Sequence, residues 1–181
     1  MASNEYHFIT HWRFRERIED VADVIEDVAG FPRWWPAVYI AVTILVDGAK
    51  HGLGSVAELH SKGWLPYTIR WQSTCVAEDY PNGSTIEAAG DFVGRGVWTL
   101  AQNGEWTDVS YDWRIRAEKP LLKALTPLLR PIFRANHHWA MATGQESVRL
   151  EILRRRASSD AERAAIPAPP PPTFRRRQPA R

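Results

Sequence analysis

The first clear pattern in the chain is an alternation of aromatic and polar residues. Between residues 6 and 14, aromatic side chains occupy every second position except Thr10, and His or Arg residues fill most positions between them. This period of two predicts a half-buried strand with an aromatic face. Apolar residues then recur at helical spacing over 18–28 and stop before Gly30, which predicts a short helix. The proline-bracketed segment 31–36, FPRWWP, predicts a turn or a single helical turn.

Beyond this segment the pattern predicts an antiparallel meander. Residues 38–46 form a continuous, mostly β-branched run, and polar and apolar positions alternate over 67–75 and 109–116. Turn sequences separate the strands at Asp47-Gly48, Lys62-Gly63, 81–84, Gly94 to Gly96 and Asn103-Gly104. One face of the predicted sheet is polar, and the other is aromatic and requires a cover.

A long C-terminal helix is predicted to supply this cover. One helical stripe carries Leu121, Leu125, Leu128, Ile132, Ala135, Trp139, Leu150 and Leu153, with Leu122, Leu129, Phe133 and Ala140 beside it. Pro127 and Pro131 predict a kink or a separate short helix in the first third. The predicted fold is therefore α+β, in the order β-α-α-β-β-β-β-β-β-α, with a curved antiparallel sheet wrapped around the long helix.

Charge divides the chain into two parts. Residues 154–181 contain eight Arg against Asp160 and Glu162, a net charge of +6, so residues 1–153 carry −4 of the formal +2. The last part also contains a proline-rich run at 167–172 and few large apolar residues. Such a segment buries too little surface to order itself. We therefore predict one domain at 1–153, and a disordered Arg- and Pro-rich tail at 154–181.

Several function classes lack support in the sequence. Cys75 is the only cysteine, which excludes an internal disulfide and a thiolate-rich metal site. His7 and His11 share a strand face but lie too far apart to chelate one ion, and no nucleophile elbow or nucleotide-binding motif is present. We expect no metal, no cofactor and no nucleic-acid partner. The chain shows neither an apolar span nor a leader, so we expect a cytoplasmic protein, with peripheral membrane contact through the basic tail left open.

The order of elements and several motifs resemble the START-like, helix-grip (SRPBCC) superfamily, in particular its polyketide cyclase/dehydrase and lipid-transport branch. The resemblance covers about residues 5 to 153 and rests on Trp12 with Phe14, on 31–36, on 63–67, and on 136–141 continuing to Gly144 and Leu150. It implies a deep, mainly apolar cavity between sheet and helix, of the kind that holds polyketides, lipids, sterols or quinones. None of these motifs is a catalytic signature.

From the residues alone, a cavity is one of two readings of the aromatic face, since the rings could also fill the core. For a cavity, the predicted ligand contacts are Trp12, Tyr67, Trp71, Trp98, Tyr111, Trp113, Asn136 and Trp139. Trp34, Trp35 and Trp64 are predicted at an entrance. Binding of a hydrophobic small molecule is the favoured function. The alternatives are a polyketide cyclase or dehydratase, with Tyr111 as the candidate catalytic residue, and a scaffold whose tail docks a partner or membrane.

Overall fold

The computed structural model describes residues 4–173, without the side chains of residues 121–129. Its strands are β1 (Glu5–Phe14), β2 (Tyr39–Val46), β3 (Val56–Ser61), β4 (Ile69–Asp79), β5 (Gly83–Gly90), β6 (Phe92–Asn103) and β7 (Trp106–Ala117). Its helices are α1 (Ile18–Ile25), α2 (Phe31–Trp34), α3 (Pro120–Arg156) and α4 (Asp160–Ala165), and a 3₁₀ turn covers Lys50–Gly52. The predicted order of elements is confirmed, with α4 added at the end.

The seven strands form one antiparallel sheet in the order β1-β7-β6-β5-β4-β3-β2. The first strand, β1, forms one edge of the sheet and pairs with the last strand, β7, and β2 forms the other edge. Aromatic residues of β1 and β7 point to the inner face as the alternation predicts: Phe8 pairs with Trp113, and Trp12 with Val109. This inner face and α3 enclose the core, which confirms the predicted sheet around a long helix.

One predicted turn is wrong. Gly94 and Gly96 lie within β6, and the chain turns earlier, after Gly90. A Cβ atom on Gly96 would lie 2.5 Å from Tyr111 Oη and 2.8 Å from Trp113 Cε3. The glycine is therefore needed because two aromatic rings of β7 approach the backbone of β6, which is a tertiary reason that a turn pattern cannot reveal.

Helix α3 differs from its prediction in two respects. It runs as one helix from Pro120 to Arg156, so the predicted alternative of a separate short helix is wrong, whereas the predicted kink stays a prediction. Its inner face also carries the residues predicted to lie beside the main stripe: Phe133 and Ala140 face the interior, whereas Ile132 is 39% exposed. The buried positions on this face include the polar residues Ser147 and Glu151. Because these two residues are polar, the hydrophobic pattern does not mark this face of the helix as buried. The predicted inward positions Leu121, Leu125 and Leu128 lie outside the described side chains.

Ion pairs join the end of α3 to the region of α1. The carboxylate of Glu151 is buried and accepts hydrogen bonds from Arg33 at 2.5 Å and from Arg155 at 3.0 Å. Arg155 also contacts Asp27, and Arg156 contacts Asp20, each at 2.6 Å. These ion pairs hold the end of α3 against α1 and α2.

The chain after α3 returns towards the sheet. Arg154 donates a hydrogen bond to the carbonyl of Pro167, near the end of α3. Thr173 Oγ1 donates one to the carbonyl of Gly63, in the loop between β3 and β4, at 3.1 Å. Helix α3 extends past the predicted boundary at residue 154, and residues 174–181 lie outside the described residues. The division into a domain and a disordered tail stays a prediction.

Candidate ligand-binding site

A cavity of about 220 Å³ lies between the sheet and α3. Strands β1, β4, β6 and β7 line it with large rings, and α3 closes it from the other side. The Phe, Tyr and Trp residues of its wall are Tyr6, Phe8, Phe31, Trp35, Tyr39, Tyr67, Trp71, Phe92, Trp98, Tyr111, Trp113 and Phe133. The aromatic inner face therefore surrounds space instead of filling it completely.

Three stacked rings form part of the wall. Tyr111 stacks on Trp98, with ring centroids 4.0 Å apart and an interplanar angle of 17°. Tyr111 also stacks on Trp113, which lies on the same strand, with ring centroids 5.6 Å apart and an interplanar angle of 19°. Gly96 makes this arrangement possible, because it has no side chain beneath the Tyr111 and Trp113 rings. The result is an extended aromatic surface, which suits a flat apolar molecule.

Phenolic hydroxyl groups supply polarity within this apolar wall. Burial raises the pKa of Tyr39, Tyr67 and Tyr111 above the usual value of a phenol. Neighbouring tyrosines contribute in the same direction, Tyr6 for Tyr67 and Tyr39 for Tyr111. These hydroxyls therefore stay protonated at neutral pH and can donate hydrogen bonds to an oxygen of a ligand.

His137, on α3, lines the cavity and is not among the predicted ligand contacts. Its ring stacks on Phe8 with centroids 4.0 Å apart, and its Nε2 lies 3.4 Å from Thr10 Oγ1. Burial, with a smaller contribution from His138, lowers the pKa of His137 to about 4. At neutral pH the cavity therefore contains an uncharged imidazole. The only signal in the sequence is helical spacing: Phe133, His137 and Ala140 are separated by four and three residues and therefore share one face of α3.

The loop between β3 and β4 borders one end of the cavity, which we call the loop end. The backbone N–H of Trp64 donates a hydrogen bond to Asn136 Oδ1 at 2.9 Å, which ties this loop to α3. Asn136 lies so close to Gly63 that a Cβ atom there would collide with it. Trp64 is 41% exposed beside this contact, whereas Lys62, Gly63 and Tyr67 line the cavity.

The opposite end lies beside α1 and is called the α1 end. Glu26, His51 and Cys75 line it, and His51 Nδ1 lies 3.2 Å from Glu26 Oε2. Ile69 and Cys75 both line the cavity on β4, six residues apart, which separates the two ends by about 20 Å. Tyr111, on β7, lines the same cavity.

Six of the predicted ligand contacts line this cavity: Tyr67, Trp71, Trp98, Tyr111, Trp113 and Asn136. Trp12 is buried outside the lining, where it packs against Phe14, Trp35 and Trp98. Trp139 is partly buried against the core, because α3 presents its neighbouring positions to the cavity. As ligand contacts, all eight stay predictions.

The predicted entrance residues lie in different places. Trp34 is 1% exposed, and its indole N–H donates to the carbonyl of Asp27, so it belongs to the core and not to an opening. Trp35 lines the cavity from within; its indole N–H donates to Thr143, and Gly144 leaves room for its ring. Of the three, Trp64 alone is exposed, beside the loop end.

Two further findings concern the described residues. No three of their His, Cys, Asp or Glu side chains are arranged to hold a metal ion. Within the same part of the chain, no helix combines the length and the apolar character that are needed to cross a membrane.

Comparisons with known proteins identify the fold. No protein-family model matches the chain, and no curated protein matches its sequence. Among solved structures, a protein from Thermus thermophilus is 15% identical, with a TM-score of 0.70 over 84% of this chain and 100% of its own. The Zhui aromatase/cyclase from a Streptomyces species is 20% identical, with a TM-score of 0.66 over 86% and 98%. A START superfamily protein from Mycobacterium smegmatis is 14% identical, with a TM-score of 0.57 over 78% and 98%. The chain has the START-like helix-grip fold.

Proposed function

We propose that this protein binds a flat, largely uncharged molecule of one or two rings in the cavity between the sheet and α3. The single observation that carries the proposal is the cavity itself, with the stacked Trp98, Tyr111 and Trp113 rings on one wall. Its other wall is α3, where His137 is uncharged at neutral pH.

The volume of the cavity narrows the ligand class. A cavity of about 150 Å³ is enough to hold benzene, and this one measures about 220 Å³. It therefore suits one or two rings better than a four-ring sterol. Of the predicted ligand classes, an aromatic polyketide fragment or a small quinone agrees best with this size.

The tyrosine hydroxyls narrow the class further. Tyr39, Tyr67 and Tyr111 remain donors at neutral pH because their pKa values are raised by burial. A buried donor is most stable when an acceptor reaches it. A ligand that carries carbonyl or hydroxyl oxygens on its rings would meet this need, whereas a pure hydrocarbon would not.

Calorimetric titration with 2-naphthol, which has two rings and one hydroxyl group, tests the proposal. We expect saturable binding of one molecule per chain. Ala140 lines the cavity, and a phenyl ring placed there would occupy space that a ligand ring needs. Ala140→Phe should therefore abolish binding, whereas Ala142→Phe, at an exposed position of the same helix, should retain it. No binding by the wild type, or equal binding by Ala140→Phe, would overturn the proposal.

A second candidate function is catalysis on such a ligand, as in a polyketide cyclase or dehydratase. The likeness to the Zhui aromatase/cyclase raises this possibility through the fold alone. The specific observation that favours it is the Glu26–His51 pair in the cavity wall. The scaffold function, with a docking tail, has no comparable observation in its favour.

A further inference from the structure

Glu26 and His51 come from distant parts of the chain and meet in the wall of the cavity. Glu26 caps the C-terminal end of α1, and His51 lies in the 3₁₀ turn between β2 and β3. His51 Nδ1 lies 3.2 Å from Glu26 Oε2, and each side chain is about one-fifth exposed. The pair is therefore sheltered, but it borders the space in which a ligand would lie.

The surroundings of His51 hold its ring in one orientation. The ring stacks on Tyr80, with centroids 3.8 Å apart and an interplanar angle of 16°. Tyr80 is itself held, because its hydroxyl donates a hydrogen bond to Asp23 Oδ1 on α1 at 3.0 Å. The His51 backbone has φ 57° and ψ 24°, the left-handed region that side-chain-bearing residues rarely adopt. Such conformations persist where neighbouring contacts impose them, and they concentrate at functional sites.

This arrangement divides the two imidazole nitrogens by role. In the neutral imidazole, an Nδ1–H that donates to the Glu26 carboxylate leaves the lone pair on Nε2. Among the described residues, none forms a hydrogen bond with Nε2. A carboxylate that fixes the tautomer of a histidine is the arrangement by which the histidine acts as a base.

Other groups near the pair do not compete for this role. Burial raises the pKa of the Cys75 thiol, with smaller contributions from Glu26 and Glu78, so the sulfur is a thiol and a poor nucleophile. Burial also raises the pKa of Glu26, against the opposing effect of His51; Asp23 and Glu78 add to the rise. Covalent catalysis through Cys75 is therefore not favoured. Proton transfer through His51 is the favoured chemistry at this end.

Tyr111 lines the same cavity and supplies the complementary group. Its hydroxyl stays protonated, so it can donate a hydrogen bond to a carbonyl oxygen and stabilise negative charge that develops there. Removal of a proton from the carbon beside a carbonyl needs this combination of a base and an oxygen-directed donor.

We propose that His51, oriented by Glu26, moves a proton at the carbon beside a carbonyl group of a ligand whose oxygen is bound by Tyr111. The C–H bond breaks, its proton passes to Nε2, and its electron pair forms an enolate whose oxygen accepts the Tyr111 hydrogen bond. The proton then returns from His51 to carbon or to oxygen, so no oxidant or co-reactant is required. His51 and Tyr111 would be catalytic residues, and Glu26 a positioning residue. This inference rests on the proposed binding function.

The test uses 2-tetralone, a two-ring ketone, in D₂O, with exchange of the hydrogens between its carbonyl and its aromatic ring followed by NMR. We expect the wild-type protein to accelerate exchange, and His51→Gln to lose roughly a hundredfold of that acceleration. Tyr111→Phe should lose much of it as well. His138→Gln, an exposed histidine on α3, is the matched control and should exchange at the wild-type rate.

The role of Glu26 needs its own readout. Glu26→Gln can donate to Nδ1 and would favour the tautomer with a hydrogen on Nε2, so it should lose exchange activity while still binding 2-naphthol. Glu26→Asp keeps a carboxylate and should recover part of the rate, which a purely structural role would not produce.

The outcomes separate the two proposals. If the wild type does not bind 2-naphthol, the binding function fails. If it binds 2-naphthol but does not accelerate exchange of 2-tetralone, or if His51→Gln exchanges as fast as the wild type, the acid–base proposal alone is overturned.

Discussion

Acidification should destabilise this protein through His137. Because burial favours the neutral imidazole, the folded state binds this proton only near pH 4, whereas an unfolded chain binds it near the ordinary value of 6.5. The unfolded state therefore gains protons first as the pH falls. The stabilising contribution is complete above pH 6.5 and is lost progressively as the pH falls towards 4.

The size of the effect follows from the gap between these two pKa values. Each pKa unit corresponds to about 1.4 kcal/mol, so the gap amounts to about 3 kcal/mol in full. Between pH 7 and pH 5 the loss in the free energy of unfolding attributable to His137 is about 2 kcal/mol. This is a large share of the stability of an ordinary domain.

Urea unfolding followed by tryptophan fluorescence at pH 7 and pH 5 measures this loss. We expect the wild type and His138→Gln to lose about 2 kcal/mol more than His137→Gln over this interval. Carboxylates that titrate in the same range affect all three proteins equally, so the comparison isolates His137. If His137→Gln loses as much stability as the wild type, the imidazole is not buried in the neutral form and the described cavity wall is incorrect.

Two further predictions concern the sheet and the tail. Gly96→Ala should lower the free energy of unfolding by about 1–3 kcal/mol in urea titrations, because its Cβ would press on the Tyr111 and Trp113 rings; unchanged stability would mean that these rings lie farther from β6. Thr173→Val, which removes the hydrogen bond to Gly63 at the loop end, should accelerate association of 2-naphthol in stopped-flow measurements. An unchanged association rate would show that the tail does not restrict access at that end.

The fold was predictable because its strands carry strong local patterns. The alternation from Tyr6 to Phe14 and the regular turn sequences both follow from local backbone preferences and from one-sided burial. Gly94 and Gly96 misled the prediction because glycine marks a turn in one context and a close approach of the neighbouring strand in another, by the Arg114 backbone at Gly94 and by two rings at Gly96. Nothing local distinguishes the two; the Tyr111 and Trp113 rings come from the neighbouring strand.

The site was predictable only in part, and for a similar reason. The sheet contributes rings at alternating positions, so Trp71, Trp98, Tyr111 and Trp113 could be assigned to the inner face. Helix α3 was harder to read, because its inner face carries Asn136 and His137 in place of apolar residues. His51 could not be assigned from the sequence at all, since a turn between β2 and β3 brings it to Glu26 on α1.

The most direct test of the binding function is native mass spectrometry of the full chain purified from its own host, followed by extraction of whatever it carries. We expect one small ring compound with oxygen substituents per chain, and its absence from Ala140→Phe prepared in the same way. A sterol or a long-chain lipid at one per chain, or a compound that Ala140→Phe retains in equal amount, would contradict it.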